Sequence, residues 1–114
     1  MKLTRIFLVI ACLALAASSQ TKPAQGKRTF TGVITDSMCS LGDHSRMKMG
    51  SNDAECTLAC VDAHGATFVL WDGKETYTLS DQKTPEKFAG KRVTVSGTLS
   101  GKSDIKVDSM VAAK

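Results

Sequence analysis

Ala66-Thr67-Phe68-Val69-Leu70-Trp71, Asp72-Gly73-Lys74 and Glu75-Thr76-Tyr77-Thr78-Leu79 follow one another without a break. The two outer runs are rich in aromatic and branched side chains, the residues that suit a pleated surface. Between them lies an Asp-Gly pair, which tolerates the positive φ angles of a tight hairpin turn. The spacing therefore predicts a hairpin turning on Asp72-Gly73, with Phe68 opposite Tyr77 and on the same face as Leu70 and Leu79. Val69, Trp71 and Thr76 take the other face.

Working outward, Thr84-Pro85-Glu86-Lys87-Phe88-Ala89-Gly90 has a capping Thr, Pro in the first helical position, an acid in the first turn and a terminal Gly. It predicts a helix of one or two turns. From Lys91 to Leu99, Val93 and Val95 alternate with Thr94 and Ser96; from Asp104 to Val111, Ile105 and Val107 alternate with Lys106 and Asp108. These are two more strands, joined by Ser100-Gly101-Lys102. Upstream, Thr29 to Thr35 forms a first strand with Phe30 and Ile34 on one face. The expected fold is mainly β: a five-stranded OB-like Greek-key barrel with a short helix between strands three and four. Closure suits a short chain because it leaves no unpaired edge. An open antiparallel sheet or a small sandwich is the alternative.

The chain has 114 residues, room for one domain. Its first 19 residues are expected to be a signal peptide: Lys2 and Arg5 flank a short basic start, and Ile6 to Ala17 is apolar but too short for a membrane span. Residues 20–26 are a polar leader, and 27–114 form the domain. Val9-Ile10-Ala11-Cys12 loosely matches a lipoprotein processing site, but the apolar run continues past Cys12, so a lipid anchor there is the weaker reading. The formal charge of +4 falls to +2 once Lys2 and Arg5 are removed, leaving thirteen basic residues against eleven acidic ones. The basic residues are scattered among acids, and no stripe suited to nucleic acid results. The expected location is the periplasm or the medium, with no transmembrane anchor after cleavage.

Export would leave Cys39, Cys56 and Cys60 in a disulfide-forming compartment, and three is an odd number. All three, with both histidines, fall in an insertion at residues 36–65 between strands one and two. Connections of this length are usually functional or disordered. Its second half predicts a helix over 53–64, capped by Asn52 with Glu55 as capping-box partner and ended by Gly65. Cys56 and Cys60, four apart, share one helical face. Cys39 and His44 lie in the preceding Gly-containing loop, which can fold back over that helix. Cys39, His44, Cys56 and Cys60 would make a Cys₃His set of the kind that holds Zn²⁺ tetrahedrally. Met47 and Met49 with the thiolates would suit Cu(I), and His64 is a more distant candidate.

Each residue also has a plainer reading. A disulfide from Cys39 to Cys56 or Cys60 would close a loop of about 17 to 21 residues and contribute about 3 kcal/mol. His44 would then be a solvated loop residue, and His64 would interact with the helix dipole. Met38, Met47 and Met49 would pack the insertion onto the barrel. No Cys-x-x-Cys-His, thioredoxin-type Cys-x-x-Cys, His-Glu-x-x-His, Gly-x-Ser-x-Gly or phosphate-loop pattern occurs. A Cys39–His44 nucleophilic pair lacks an identified orienting residue, and an enzyme is not expected.

Gly32-Val33-Ile34-Thr35-Asp36-Ser37-Met38-Cys39, His44, Met47, Glu55-Cys56-Thr57-Leu58-Ala59-Cys60-Val61, Gly65, Phe68-Val69-Leu70 and Gly90 to Gly97 together resemble a family of small exported bacterial proteins of uncharacterised function. Its Asp-Ser-x-Cys, His, Glu-Cys-x-x-x-Cys order is the most specific part. The resemblance implies a bacterial, exported protein and brings no activity, substrate or cofactor with it.

The sequence thus points to a small exported β-domain whose insertion binds a structural or soft metal ion, Zn or Cu. Two alternatives stand beside it. One is a disulfide-stapled, non-catalytic module for a protein or small ligand; the other is a periplasmic thiol protein with one reactive cysteine.

Overall fold

The computed structural model describes residues 26–114. The expected signal peptide, all but the last residue of the leader, and Cys12 lie outside the described residues. The elements run β1 (Arg28–Asp36), α1 (Asp53–His64), β2 (Phe68–Trp71), β3 (Thr76–Leu79), a 3₁₀ helix (Thr84–Phe88), β4 (Arg92–Ser100) and β5 (Asp104–Ala112). The five strands form one sheet in the order β1-β2-β3-β5-β4, and β4 pairs back onto β1 to close the ring. Every pairing is antiparallel except β3 with β5, which run parallel through Thr78 with Asp104 and Leu79 with Ile105.

Period-two alternation turns one face of each strand inward. Phe30, Ile34, Leu70, Val93, Val95 and Ile105 meet in one buried cluster. Phe30 and Tyr77 add an inclined aromatic pair with centroids 5.3 Å apart. Thr35 and Val69, paired across β1 and β2, belong to the opposite face and are buried all the same. Thr76, next along that face, donates its hydroxyl to Ser40 O at 2.9 Å and ties the insertion down.

The hairpin turns one residue later than expected. Asp72 N–H donates to Glu75 O at 3.1 Å, and Gly73 takes φ 96°. Asp72 also accepts Lys74 N–H and Glu75 N–H on its carboxylate, so it serves as the side-chain brace of the turn rather than as a central residue. Tyr77 is therefore opposite Leu70, not Phe68. A register change of two leaves every side chain on its expected face, and Phe68, Leu70, Tyr77 and Leu79 are all buried.

The short helix departs from expectation in its cap. Thr84 lies inside it, and the Asp81 carboxylate accepts the backbone N–H of Lys83 and Thr84. Helix α1 begins and ends at the expected residues. Asn52 Oδ1 accepts Glu55 N–H at 2.9 Å, whereas the Glu55 carboxylate reaches Ser51. At the other end Gly65 is left-handed and Ala66 N–H returns to Cys60 O at 3.2 Å.

Ala54, Leu58 and Val61 pack α1 against the core. The helix seats on Gly90, where a Cβ would lie 2.8 Å from Ala54 N and where φ is 72°. Only glycine satisfies both the close approach and that backbone conformation. The methionines do not glue the insertion down: Met38, Met47 and Met49 are 46%, 37% and 38% exposed.

Candidate metal centre

The last two residues of β1 organise the site. Asp36 is wholly buried, and its Oδ1 accepts Met38 N–H and Cys39 N–H, both at 3.0 Å. This turn bends the chain straight off the strand and sets Cys39 beside it. Thr35 donates its hydroxyl proton to Cys39 O at 2.9 Å, and the same oxygen lies 3.4 Å from His44 Nε2. A hydroxyl has one proton. With that proton given to the carbonyl, the oxygen can only accept from the ring, so this contact calls for hydrogen on Nε2; in the neutral ring the lone pair is then on Nδ1.

Among the described residues three buried side-chain polar atoms make no hydrogen bond: Asp36 Oδ2 and His44 Nδ1 here, and the Thr57 hydroxyl on α1. Buried polar atoms are rarely left this way, and each one needs an explanation. One carboxylate oxygen of Asp36, Cys39 Sγ and one ring nitrogen of His44 lie within 4.8 Å of one another, all three residues buried. This group could hold a metal ion. Among the described residues no cationic side chain pairs with Asp36; the sole ion pair there is Lys27 with Asp108 at the surface.

Helix α1 brings the other sulfurs. The Cys60 thiol is completely buried, near enough to Asp36 and Cys39 for their charges to act on it, and stands outside the close group of three. Burial pushes it up to about 11, and the charges of Asp36 and Cys39 act in the same direction. Burial raises Cys39 as well, with Asp36 the next cause. Cys56 lies one turn earlier, buried, with its thiol donating to Gly50 O at 3.5 Å. All three cysteines are free thiols in this structure.

His64 is exposed at the end of α1, and Met47 and Met49 are exposed on the loop. Asp36 is the residue that spacing arguments overlooked. A signal for it existed: an Asp three residues before Cys39 is the pattern of a side-chain-braced turn.

Asp36, Cys39 and His44 also invite comparison with a nucleophilic triad, but the environment opposes it. His44 Nε2 faces Thr35, and both Cys39 and Cys60 are shifted toward the protonated thiol. An activated cysteine needs the reverse, a positive setting that favours thiolate. A bound cation would supply it, since coordination deprotonates a thiol outright.

Residues 61–113 match a family model described as a protein of unknown function (DUF5818). That stretch runs from the end of α1 through β5, so the match begins just after Cys60 and covers the scaffold without Asp36, Cys39 or His44. No curated protein matches the chain, and no solved structure does.

Proposed function

We propose that the domain binds one Zn²⁺ ion through Asp36, Cys39, His44 and Cys60. The observation that carries this reading is a buried group in which one carboxylate oxygen of Asp36, one ring nitrogen of His44 and the Cys39 sulfur lie within 4.8 Å of one another, in residues that keep Asp36 Oδ2 and His44 Nδ1 without a partner. Cys60, fully buried on the helix side, would supply the second sulfur. One carboxylate oxygen, one imidazole nitrogen and two thiolates form a mixed set that suits zinc at four-coordination. Cu(I) prefers an all-soft set, and the exposure of Met47 and Met49 weighs against it. Thr35, accepting from Nε2–H, would serve as the outer partner that fixes the ring of a metal-bound histidine.

The ion would be structural rather than catalytic. Four protein donors leave no open position, and zinc would tie the end of β1 to α1 across the loop between them. We read the scaffold as an OB-like Greek-key barrel, a reading supported by the strand order and the parallel β3–β5 pair. We further propose an exported, periplasmic or secreted protein carrying residues 1–19 as its signal peptide, on the strength of the basic start and apolar run.

Native and denaturing mass spectrometry of the purified protein, with elemental analysis, tests the assignment. One zinc per chain, released on denaturation and reduced at least tenfold in affinity by Cys60→Ser or His44→Ala, is the expected result. Stoichiometric zinc that persists through both substitutions would reject this site. So would a protein that takes up no zinc from a buffered solution.

A further inference from the structure

We infer that the outer edge of β5 is a self-association surface, along which two copies of the chain join antiparallel with Val111 facing its own counterpart across a two-fold axis. The ring of strands covers β5 only in part. β3 has 4 residues against 9 in β5, and the two pair only at Asp104 and Ile105. Ser80 extends the cover by one step, donating its N–H to Ile105 O at 3.0 Å and accepting Val107 N–H on its hydroxyl at 2.8 Å. Past Val107, no described residue hydrogen-bonds β5 on that side.

Hydrogen-bond parity identifies the groups left over. Ala113 N–H donates to Arg92 O at 3.0 Å, and the pairing continues inward through Val111 with Thr94 and Ser109 with Ser96. Alternate residues of a strand turn their amides to opposite sides, so Met110 and Ala112 send N–H and C=O away from β4 into the uncovered edge. Such an edge is a template for another strand. When the newcomer is β5 of a second copy, Met110 exchanges hydrogen bonds with the partner's Ala112, and Ala112 does so with the partner's Met110. Val111 then meets the partner's Val111 between them as the closer, non-hydrogen-bonded pair. The same patch serves both copies, as a closed two-fold contact requires.

Two observations favour this occupant. Val111 is 58% exposed and is, among the described residues, the one large exposed hydrophobic outside the insertion; self-pairing covers it. Charge fits as well. The irregularity in the β4–β5 register leaves Asp108 as an extra, exposed residue between Val107 and Ser109. In the pairing centred on Val111 it comes beside the partner's Lys114, twice by symmetry. Sliding the strands by two residues keeps the hydrogen-bond parity but sets Lys106 against the partner's Lys114, and like charges directly opposite are unfavourable. Asp108 already meets Lys27 of its own chain at 3.5 Å, an exposed pair that contributes little. A contact confined to one short strand falls below the roughly 1,200 Å² of a standard specific interface, so the dimer is weak and concentration-dependent.

Sedimentation equilibrium of the purified protein tests the pairing from about 10 μM to about 1 mM, the range of a weak interface. Reductant and chelator are present throughout, so that neither a disulfide nor a metal can bridge two chains. The mass is expected to rise from one chain to two. Ala112→Pro removes the outward N–H and no bond to β4, and should leave a folded monomer. Val111→Glu sets two like charges on the axis and should do the same, which keeps the test open if the proline variant fails to fold. Lys114→Glu should weaken the dimer about fivefold, the effect of losing two exposed ion pairs, and Asp108→Lys combined with Lys114→Glu should restore it. A monomer at every concentration, a dimer unchanged in Ala112→Pro and Val111→Glu, or assembly beyond two chains would overturn the inference. So would a Lys114→Glu protein that dimerises more tightly, the signature of the shifted register.

Discussion

Thr35 couples the two halves of the candidate centre to His44: its hydroxyl oxygen lies 3.4 Å from His44 Nε2 while its proton goes to the Cys39 carbonyl 2.9 Å away. The hydroxyl of Thr57 on α1 is as deeply buried and has no partner. The same substitution should therefore act in opposite directions at the two positions. Thr35→Val strands a carbonyl and a ring N–H, and is expected to cost about 1–3 kcal/mol in denaturant unfolding. Thr57→Val removes an unsatisfied group at nearly constant shape and should be neutral or stabilising by up to about 1 kcal/mol. Equal losses at both positions would contradict the hydrogen-bond assignment.

Asp36 has one oxygen engaged and one idle, and an amide separates their roles. Asp36→Asn keeps an acceptor for Met38 N–H and Cys39 N–H, so the metal-free protein should retain its far-UV and near-UV spectra. Zinc affinity should fall at least tenfold, as expected on losing a ligand atom. Asp36→Ala removes the brace too and should lower stability by about 1–3 kcal/mol even without metal. Competition titration against a zinc chelator, paired with chemical denaturation, reads both effects.

Asp81 makes the 3₁₀ helix sensitive to acid. Hydrogen bonds from Thr84 first, and then from Lys83, hold its carboxyl below the usual carboxylate range. A depressed folded value means that its stabilisation is complete above the unfolded value of about 4 and is lost as pH falls through the lower folded value. Asp81→Ala should cost about 0.5–2 kcal/mol at pH 7, the usual range for a lost cap. The difference between the two proteins should narrow on acidification from pH 5 to pH 2. A gap that stays constant over that window would show that the carboxylate is not the cause.

Gly90 links scaffold and site through α1. A methyl group there would press against Ala54 N in a backbone conformation that disfavours any other residue. Gly90→Ala should destabilise the protein by more than about 1 kcal/mol and, by shifting the helix that carries Cys60, weaken zinc binding without touching a ligand. Full zinc affinity in a folded Gly90→Ala protein would show that the helix seat and the site are independent.

Local chemistry explains what could be read in advance. The bounds of α1 follow from Asn52 and Gly65, which act within one turn of themselves, and inward faces such as Phe30 with Ile34 follow from alternation alone. The hairpin register was harder, because Asp72 can brace a turn or occupy its centre, and both choices give the same faces. Thr84 looks like a cap in isolation; Asp81 wins because its carboxylate reaches two N–H groups at once. In the candidate centre, cysteine spacing puts Cys56 and Cys60 on one face but cannot say which turn of the helix meets the loop. Asp36 was missed for a similar reason. Its meaning depends on a backbone reversal that only the folded chain displays.

The position of β5 between β3 and β4 has a consequence for the birth of the molecule. The ring lacks a stave until β5 has been made, whereas all the sulfur of the insertion has emerged long before. For that interval Cys39, Cys56 and Cys60 hang from an unfinished sheet, so an ion or oxidant can reach them before the ring shuts.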